Sequence, residues 1–298
     1  MSISHHAGNE AARLRLIECP RDAMQGWPHP IPTVRKIEYI NSLLQCGFDT
    51  LDFGSFVSPK AIPQMADTRE VLAGLQLPAN GTKLLAIVAN LRGAIDASAY
   101  DAISYLGFPF SVSETFQLRN TNSTIEASLE TVQKIQEVCI QTRKQLVIYL
   151  SMGFGNPYGD PWSEAIVFSW AQTIAQMGVQ IISLADTVGL ATPEQVFTVT
   201  DHVIRQLPAQ EIGVHLHSSP LNREVKIAAA LKAGCRRFDG ALKGIGGCPM
   251  AGDELVGNMD TEWMIDYFRH SGTIDPAWDT IHDQALQESL RIAAEIFV

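Results

Sequence analysis

Residues 212–242 read IGVHLHSSPLNREVKIAAALKAGCRRFDGAL and hold one complete strand–helix–strand unit. Ile212 to Leu216 is a short apolar run with the length of a β-strand. Asn222 to Ala233 has helical periodicity and stops at Gly234, and Arg237 to Leu242 is a second strand. Strand side chains alternate between faces, so His215 and His217 point the same way and Leu216 points oppositely. Two neutral imidazoles on one face can ligate a single divalent metal; a pair of hydrogen-bonded strand-end histidines is the plainer alternative.

The same rhythm runs outward in both directions. Strands are expected at Leu14–Glu18, Thr50–Phe53, Lys83–Val88, Phe108–Val112, Leu146–Leu150 and Gln180–Leu184, ahead of the two above. Helices are expected at Thr33–Gln45 with Thr33 as N-cap, at Ile125–Arg143, at Trp162–Met177, and from Pro193 at its favoured first position. Eight β–α alternations without a linker predict an α/β protein, a single (β/α)8 TIM barrel, with an open parallel sheet as the alternative. Residues 13–298 read as one catalytic domain, in which the chain after Trp263 adds C-terminal helices outside the barrel. Residues 1–12 read as a flexible N-terminus.

Composition narrows the function. A formal charge of -10 lacks the basic footprint of a nucleic-acid binder, and no run is long enough to span a membrane. Five scattered cysteines make neither a disulfide framework nor a C-x-x-C zinc pair, and the polar first dozen residues make no signal peptide, so a cytoplasmic protein is expected.

Barrel active sites lie at the C-terminal ends of the strands. There the sequence places Arg21, Asp22 and Gln25 after the first strand, then Asp52 and Ser55 at the second. Asp186 and Thr187 follow the sixth, and Cys248 lies in the glycine-rich loop beyond the eighth. Asp22, His215, His217 and an amide oxygen such as that of Asn258 make a mixed nitrogen–oxygen set. Mg²⁺ or Mn²⁺ suits it best, with Zn²⁺ or Co²⁺ as alternatives. Arg21, charged at any working pH, suits a developing oxyanion. Arg21, Asp22, Asp186, His215 and Cys248 are the candidate catalytic residues and Gln25, Asp52, Ser55 and Thr187 the candidate substrate contacts. A loop ion pair, a helix-capping carboxylate and a small buried hydrophobe are the plainer readings of Arg21-Asp22, Asp186 and Cys248.

Taken together these segments resemble the 3-hydroxy-3-methylglutaryl-CoA lyases, within the metal-dependent barrel lyases and aldolase-type condensing enzymes. The resemblance runs from about Leu16 to Glu262. It rests on Pro20-Arg21-Asp22 with Gln25, Ser55-Phe56-Val57-Ser58-Pro59-Lys60, Ser113-Glu114, Asp186-Thr187, His215-Leu216-His217 and Gly246-Gly247-Cys248-Pro249. It implies metal ligation by Asp22, His215, His217 and Asn258, enolate stabilisation by Arg21, proton transfer by Cys248 and a polar neighbour in Asp186. It further implies an acyl-CoA substrate, a retro-Claisen cleavage giving acetyl-CoA and acetoacetate, and a homodimer.

Several positions depart from that pattern. Asp52 stands for a glutamate, Ile17 for an acidic residue and Val147 for an arginine, and Ser218-Ser219 stands for Asp-Thr. Ser151 to Tyr158 replaces a stretch with two cysteines, and the loop from Cys248 to Asn258 is one residue longer. A condensing enzyme joining acetyl-CoA to a 2-oxo acid, and a catalytically inactive barrel, are the rival readings. The Gly-Gly-Cys-Pro cysteine argues against the first, and joint retention of Arg21, Asp22 and both histidines against the second.

Overall fold

The computed structural model describes residues 13–247, 256–271 and 281–298. The reading of residues 1–12 as flexible, and Cys248 itself, lie outside the described residues.

Eight parallel strands close into a barrel in chain order. They are β1 (Arg15–Glu18), β2 (Thr50–Ser55), β3 (Lys83–Ile87), β4 (Ile103–Ser111), β5 (Gln145–Ser151), β6 (Ile181–Asp186), β7 (Glu211–Leu216) and β8 (Arg237–Gly240). The first and last strands pair from Arg15 opposite Arg237 to Glu18 opposite Gly240, which removes the open sheet from consideration. The helices are α1 (Pro20–Gln25), α2 (Thr33–Leu44), α3 (Thr68–Ala73), α4 (Leu91–Ser98), α5 (Glu114–Thr121), α6 (Ile125–Thr142), α7 (Glu164–Gln176), α8 (Pro193–Gln206), α9 (Arg223–Lys232), α10 (Thr261–His270) and α11 (Asp283–Ile296).

Three local expectations change. Helix α2 begins at Thr33 rather than being capped by it: Pro32 holds the cap position, and the Thr33 hydroxyl instead donates to Asp67 at 2.8 Å. Strand β4 starts at Ile103, five residues earlier than expected, because Ser104 and Gly107 break the apolar run; the ladder to β3 skips Ser104 at a bulge and continues through Gly107. Strand β8 stops at Gly240, where the chain tightens into a 3₁₀ turn at Leu242–Gly244 with Lys243 at φ 61°.

Strand alternation divides the core in two. Outward-facing residues such as Leu16, Leu51, Leu184 and Val214 join the main core under the helices. A separate apolar cluster of Leu85, Ile87, Tyr105, Val147, Tyr149 and Ile181 lies together on the inner faces of β3–β6. Val147 belongs to it, so the position where the resemblance implies an arginine is buried among apolar side chains. The inner face of β7 and β8 is ionic instead, with Glu211, His215, Arg237 and Asp239. Gly213 makes room for this, since a Cβ there would come within 2.8 Å of the Arg237 side chain.

Glu18 faces outward from β1 into the main core and is fully buried. Its carboxyl accepts from the Leu242 amide at 2.9 Å and from the Thr261 hydroxyl at 2.6 Å, tying the end of β8 and the start of α10 to the first strand. Burial pushes its pKa up to about 8, against the lowering effect of those two bonds. The folded protein therefore holds a proton that an unfolded glutamate has lost above about 4.5, so stability falls as the pH rises through about 8. Glu18→Gln should flatten that decline, read as the melting temperature between about pH 6 and 9 against the wild type. An equal alkaline decline in both proteins counts against a protonated Glu18.

Candidate active site

The chain leaves β1 at Cys19 and turns at once into α1, with Pro20 opening the helix. This sharp turn holds Arg21 and Asp22 in the first helical turn, over the barrel mouth. The Arg21 guanidinium forks onto Asp52 of β2, with Nε at 3.0 Å and Nη2 at 2.5 Å from Oδ2. Its Nη1 donates to Asp22 Oδ1 at 2.9 Å and to Gln25 Oε1 at 2.7 Å, and the Gln25 amide donates back to Asp22 at 3.0 Å. Burial opposes ionisation of Asp22, but the charge of Arg21, followed by that of His215, overcomes it and holds the carboxyl down at about 2. Burial pushes Asp52 up to about 6 with Arg21 pulling back, so the pair is ionised at neutral pH.

His215 and His217 share a face as the alternation requires, with ring centroids 5.2 Å apart. The Nδ1 of His215 lies 3.2 Å from the Asp239 carboxylate directly across the β7–β8 ladder. Burial works against its charged form, yet the bond to Asp239 raises its pKa above the ordinary value. The Nδ1 of His217 is 3.0 Å from the Val256 carbonyl, which can only accept, so this nitrogen carries the hydrogen and Nε2 is bare. Burial, followed by the charge of His215, lowers the His217 pKa and keeps the ring neutral. Beside it the chain returns as a short added strand. His217 forms an antiparallel bridge with Asn258, and Met259 donates its amide to Leu216.

That bridge delivers Asn258 to Asp22. The amide nitrogen donates to Asp22 Oδ2 at 2.7 Å and to the Ile245 carbonyl at 2.9 Å, while the buried Oδ1 has no hydrogen-bond partner among the described residues. Gly246 makes the approach feasible, because a Cβ there would sit 2.6 Å from the Asn258 amide. The extra residue in the preceding loop therefore leaves Asn258 beside Asp22.

A cavity of about 230 Å³ opens over this group. Arg21, Asp22, Gln25, Thr187, His215 and His217 form its polar side. Val57, Ile87, Pro109, Tyr149 and Ala185 give the cavity its apolar lining, with Phe116 and Asn120 contributed by α5. Asp52 reaches the cavity through Arg21. Ser55 is buried beside it, holding the Val57 amide at 3.3 Å, and Thr187 accepts from the Met152 amide at 2.9 Å.

Asp186 departs from the sequence expectation. Ala185 and Asp186 are neighbours on a strand, so with Ala185 lining the cavity the Asp186 carboxylate faces outward. It accepts from Lys226 Nζ at 2.7 Å and from the Ala191 amide at 3.0 Å, and does not line the cavity. Two further residues near the site carried no motif in the sequence: Asp239, the partner of His215, and Tyr149, whose ring meets His215 edge-on at 5.7 Å. Cys19, His215 and Asp239 also place ligand-type atoms within 4.8 Å of one another. Burial raises the Cys19 pKa far above the thiolate range, and Asp239 already holds Nδ1 of His215, which leaves that ring's Nε2 for Asp22 and His217.

A closed barrel with this polar group at the C-terminal mouth of its strands has the layout of a barrel enzyme, and its family makes it a carbon–carbon lyase. The chain belongs to the HMGL-like family, whose model matches residues 15–292. It is 33% identical over 256 residues to the 3-hydroxy-3-isohexenylglutaryl-CoA/hydroxymethylglutaryl-CoA lyase of Pseudomonas aeruginosa, covering 85% of this chain and 84% of that one. It is 32% identical over 249 residues to the hydroxymethylglutaryl-CoA lyase of Bacillus subtilis, covering 83% and 81%. Among solved structures, the HMG-CoA lyase of Acinetobacter baumannii in complex with coenzyme A and 3-methylmalate superposes with a TM-score of 0.87 at 34% identity, covering 96% of this chain and 92% of that one.

Asp52→Ala would leave the Arg21 charge buried with half its partners gone. Unfolding in urea should then show a loss of roughly 3–5 kcal/mol. A loss under about 1 kcal/mol, the range of exposed pairs, would mean that water replaces Asp52.

Proposed function

We propose that this enzyme cleaves 3-hydroxy-3-methylglutaryl-CoA to acetyl-CoA and acetoacetate with a divalent metal, Mg²⁺ or Mn²⁺, held by Asp22, His215, His217 and Asn258. The observation that carries the metal is Asn258 Oδ1, a buried acceptor without a partner among the described residues, beside an ionised Asp22. A bare acceptor of this kind is costly unless a cation or donor meets it. Charge points the same way. Arg21, Asp22 and Asp52 sum to one negative charge, and an anionic acyl group entering a buried site needs the balance reversed. Hard oxygen ligands with imidazole suit Mg²⁺ or Mn²⁺. Bound there, the ion would supply Lewis-acid polarisation of the substrate oxygens.

The chain's own groups account for the remaining steps. A base removes the C3 hydroxyl proton, the C3 carbonyl forms, and the C2–C3 bond breaks with its electron pair delocalised onto the thioester oxygen. His215, with Nδ1 turned to Asp239, would hold the metal through Nε2. Arg21 has five N–H hydrogens, of which Asp52, Asp22 and Gln25 engage four, leaving one on Nη2 for the enolate oxygen. Protonation at C2, assigned to Cys248 on the glycine-rich loop, completes acetyl-CoA. Gln25 and Thr187 contact the acyl group, and Asp52 and Ser55 support its walls. Asp186 acts from behind, through Lys226.

The uncharged wall of Val57, Ile87, Pro109 and Tyr149 favours a second substrate reading, a 3-hydroxyglutaryl-CoA with a larger apolar group at C3. The P. aeruginosa relative is named for one such substrate. A homodimer and a cytoplasmic setting complete the proposal, resting on the family resemblance; no described helix is long and apolar enough to cross a membrane.

Purified enzyme with Mg²⁺ or Mn²⁺ should release acetoacetate from hydroxymethylglutaryl-CoA, and chelator should stop it. Metal binding without release from this substrate or its longer C3 homologues sinks the reading. Arg21→Met should lower kcat by about 10²–10³-fold with Mn²⁺ affinity nearly unchanged. Cys248→Ser should slow turnover far more than it weakens metal binding, and equal losses would remove its proton-transfer role.

A further inference from the structure

We infer that Lys226, on the outer helix α9, is a positioning residue for the metal site: its ammonium sets the placement of His217 and of the segment carrying Asn258. The inference rests on the metal reading above. Lys226 is 1% exposed, yet its charge is fully matched. Its three N–H hydrogens have three acceptors: Asp186 Oδ2 at 2.7 Å, the His217 carbonyl at 2.8 Å and the Gly189 carbonyl at 3.1 Å. These acceptors come from the end of β6, the turn after it and the residue following β7. A buried lysine is an expensive way to join three loops, since several kcal/mol are needed to desolvate an ammonium.

The three tethers form a closed circuit around one imidazole. Lys226 holds the His217 carbonyl from behind. It also holds Gly189, which adopts φ +72° and lies so close to Val256 that a Cβ would approach its side chain to 2.8 Å. The Val256 carbonyl in turn accepts from His217 Nδ1 at 3.0 Å, which fixes the tautomer with Nε2 bare. Two residues on, Asn258 bridges to His217 and donates to Asp22. Backbone position, ring tautomer and the neighbouring amide all trace back to one ammonium. Asp186, facing outward, is the counter-charge that makes a buried lysine tenable there.

The test separates placement from simple stability. Lys226→Met should lower the melting temperature, because Asp186 is left buried and unpaired, and should weaken Mn²⁺ binding by about 10–100-fold in an EPR titration. The double variant Asp186→Asn/Lys226→Met carries no stranded charge. It should recover most of the melting temperature while Mn²⁺ binding stays weak. Nitrogen-15 NMR of the metal-free proteins should show His217 as the Nδ1–H tautomer in the wild type and as a mixture in Lys226→Met. Mn²⁺ binding as tight in Lys226→Met as in the wild type overturns the inference, as does joint recovery of stability and affinity in the double variant. A wild type that binds no Mn²⁺ overturns the metal reading instead. The His217 tautomer then decides the positioning role by itself, and an unchanged tautomer removes it.

Discussion

Everything at the mouth of this barrel is built around one buried guanidinium. Arg21 reaches Asp52 across the first two strands, Asp22 within its own turn and Gln25 one turn on. A fixed planar fork with five donors can satisfy such a set, whereas a lysine at the same place would offer a point charge and three. The consequence is a carboxylate, Asp22, that stays ionised although buried and that faces two imidazoles. Without the arginine, burial would push the pKa values of Asp22 and Asp52 upward.

The interior below continues this asymmetry. The inner face of β3–β6 carries the cluster of aliphatic and aromatic side chains, and that of β7 and β8 carries Glu211, His215, Arg237 and Asp239, with Ser183 of β6 turned toward Asp239. The polar arc lies under the histidines, where Asp239 orients His215. The dry wall lies across the cavity, where an acyl chain would rest. One lumen thus provides a region of strong field and a region of none, a few ångströms apart. Of the departures, Val147 falls on the dry side, whereas Asp52 falls on the charged side against Arg21.

The barrel was legible because its signals are local. Apolar runs of four to eight residues, helix stops such as Gly178 and Gly234, and the Pro193 helix start each lie within a few neighbours of the feature they specify. Short helices such as Thr68–Ala73 and Glu114–Thr121 were not legible, since at two turns or fewer they have no room for an amphipathic repeat. In the site, the shared face of His215 and His217 follows from parity along one strand. Parity also accounts for the misplacement of Asp186: next to inward-facing Ala185 it must face outward, although its position at a strand end suggested the mouth. Asp239 and Lys226 were hidden for another reason. Their partners are set by inter-strand register and by helix packing, which no pattern along the chain encodes. The resemblance supplied the catalytic set, whereas the groups that hold it in place came from the coordinates.

The hydrogen bond from Asn258 to Asp22 joins residues 236 positions apart in the chain. Asp22 follows β1, and Asn258 lies on the return beside β7 and β8, so the bond straddles the seam where the first and last strands meet. Closing a ring of eight strands requires its two ends to find each other across nearly the whole polypeptide, and such distant pairings form late. A ligand gripped from both sides of that join acts as a rivet. It favours the sealed ring over any state in which the two edges have parted, and it slows their separation as well as opposing it. In this architecture the reaction centre and the fastening of the barrel occupy the same place.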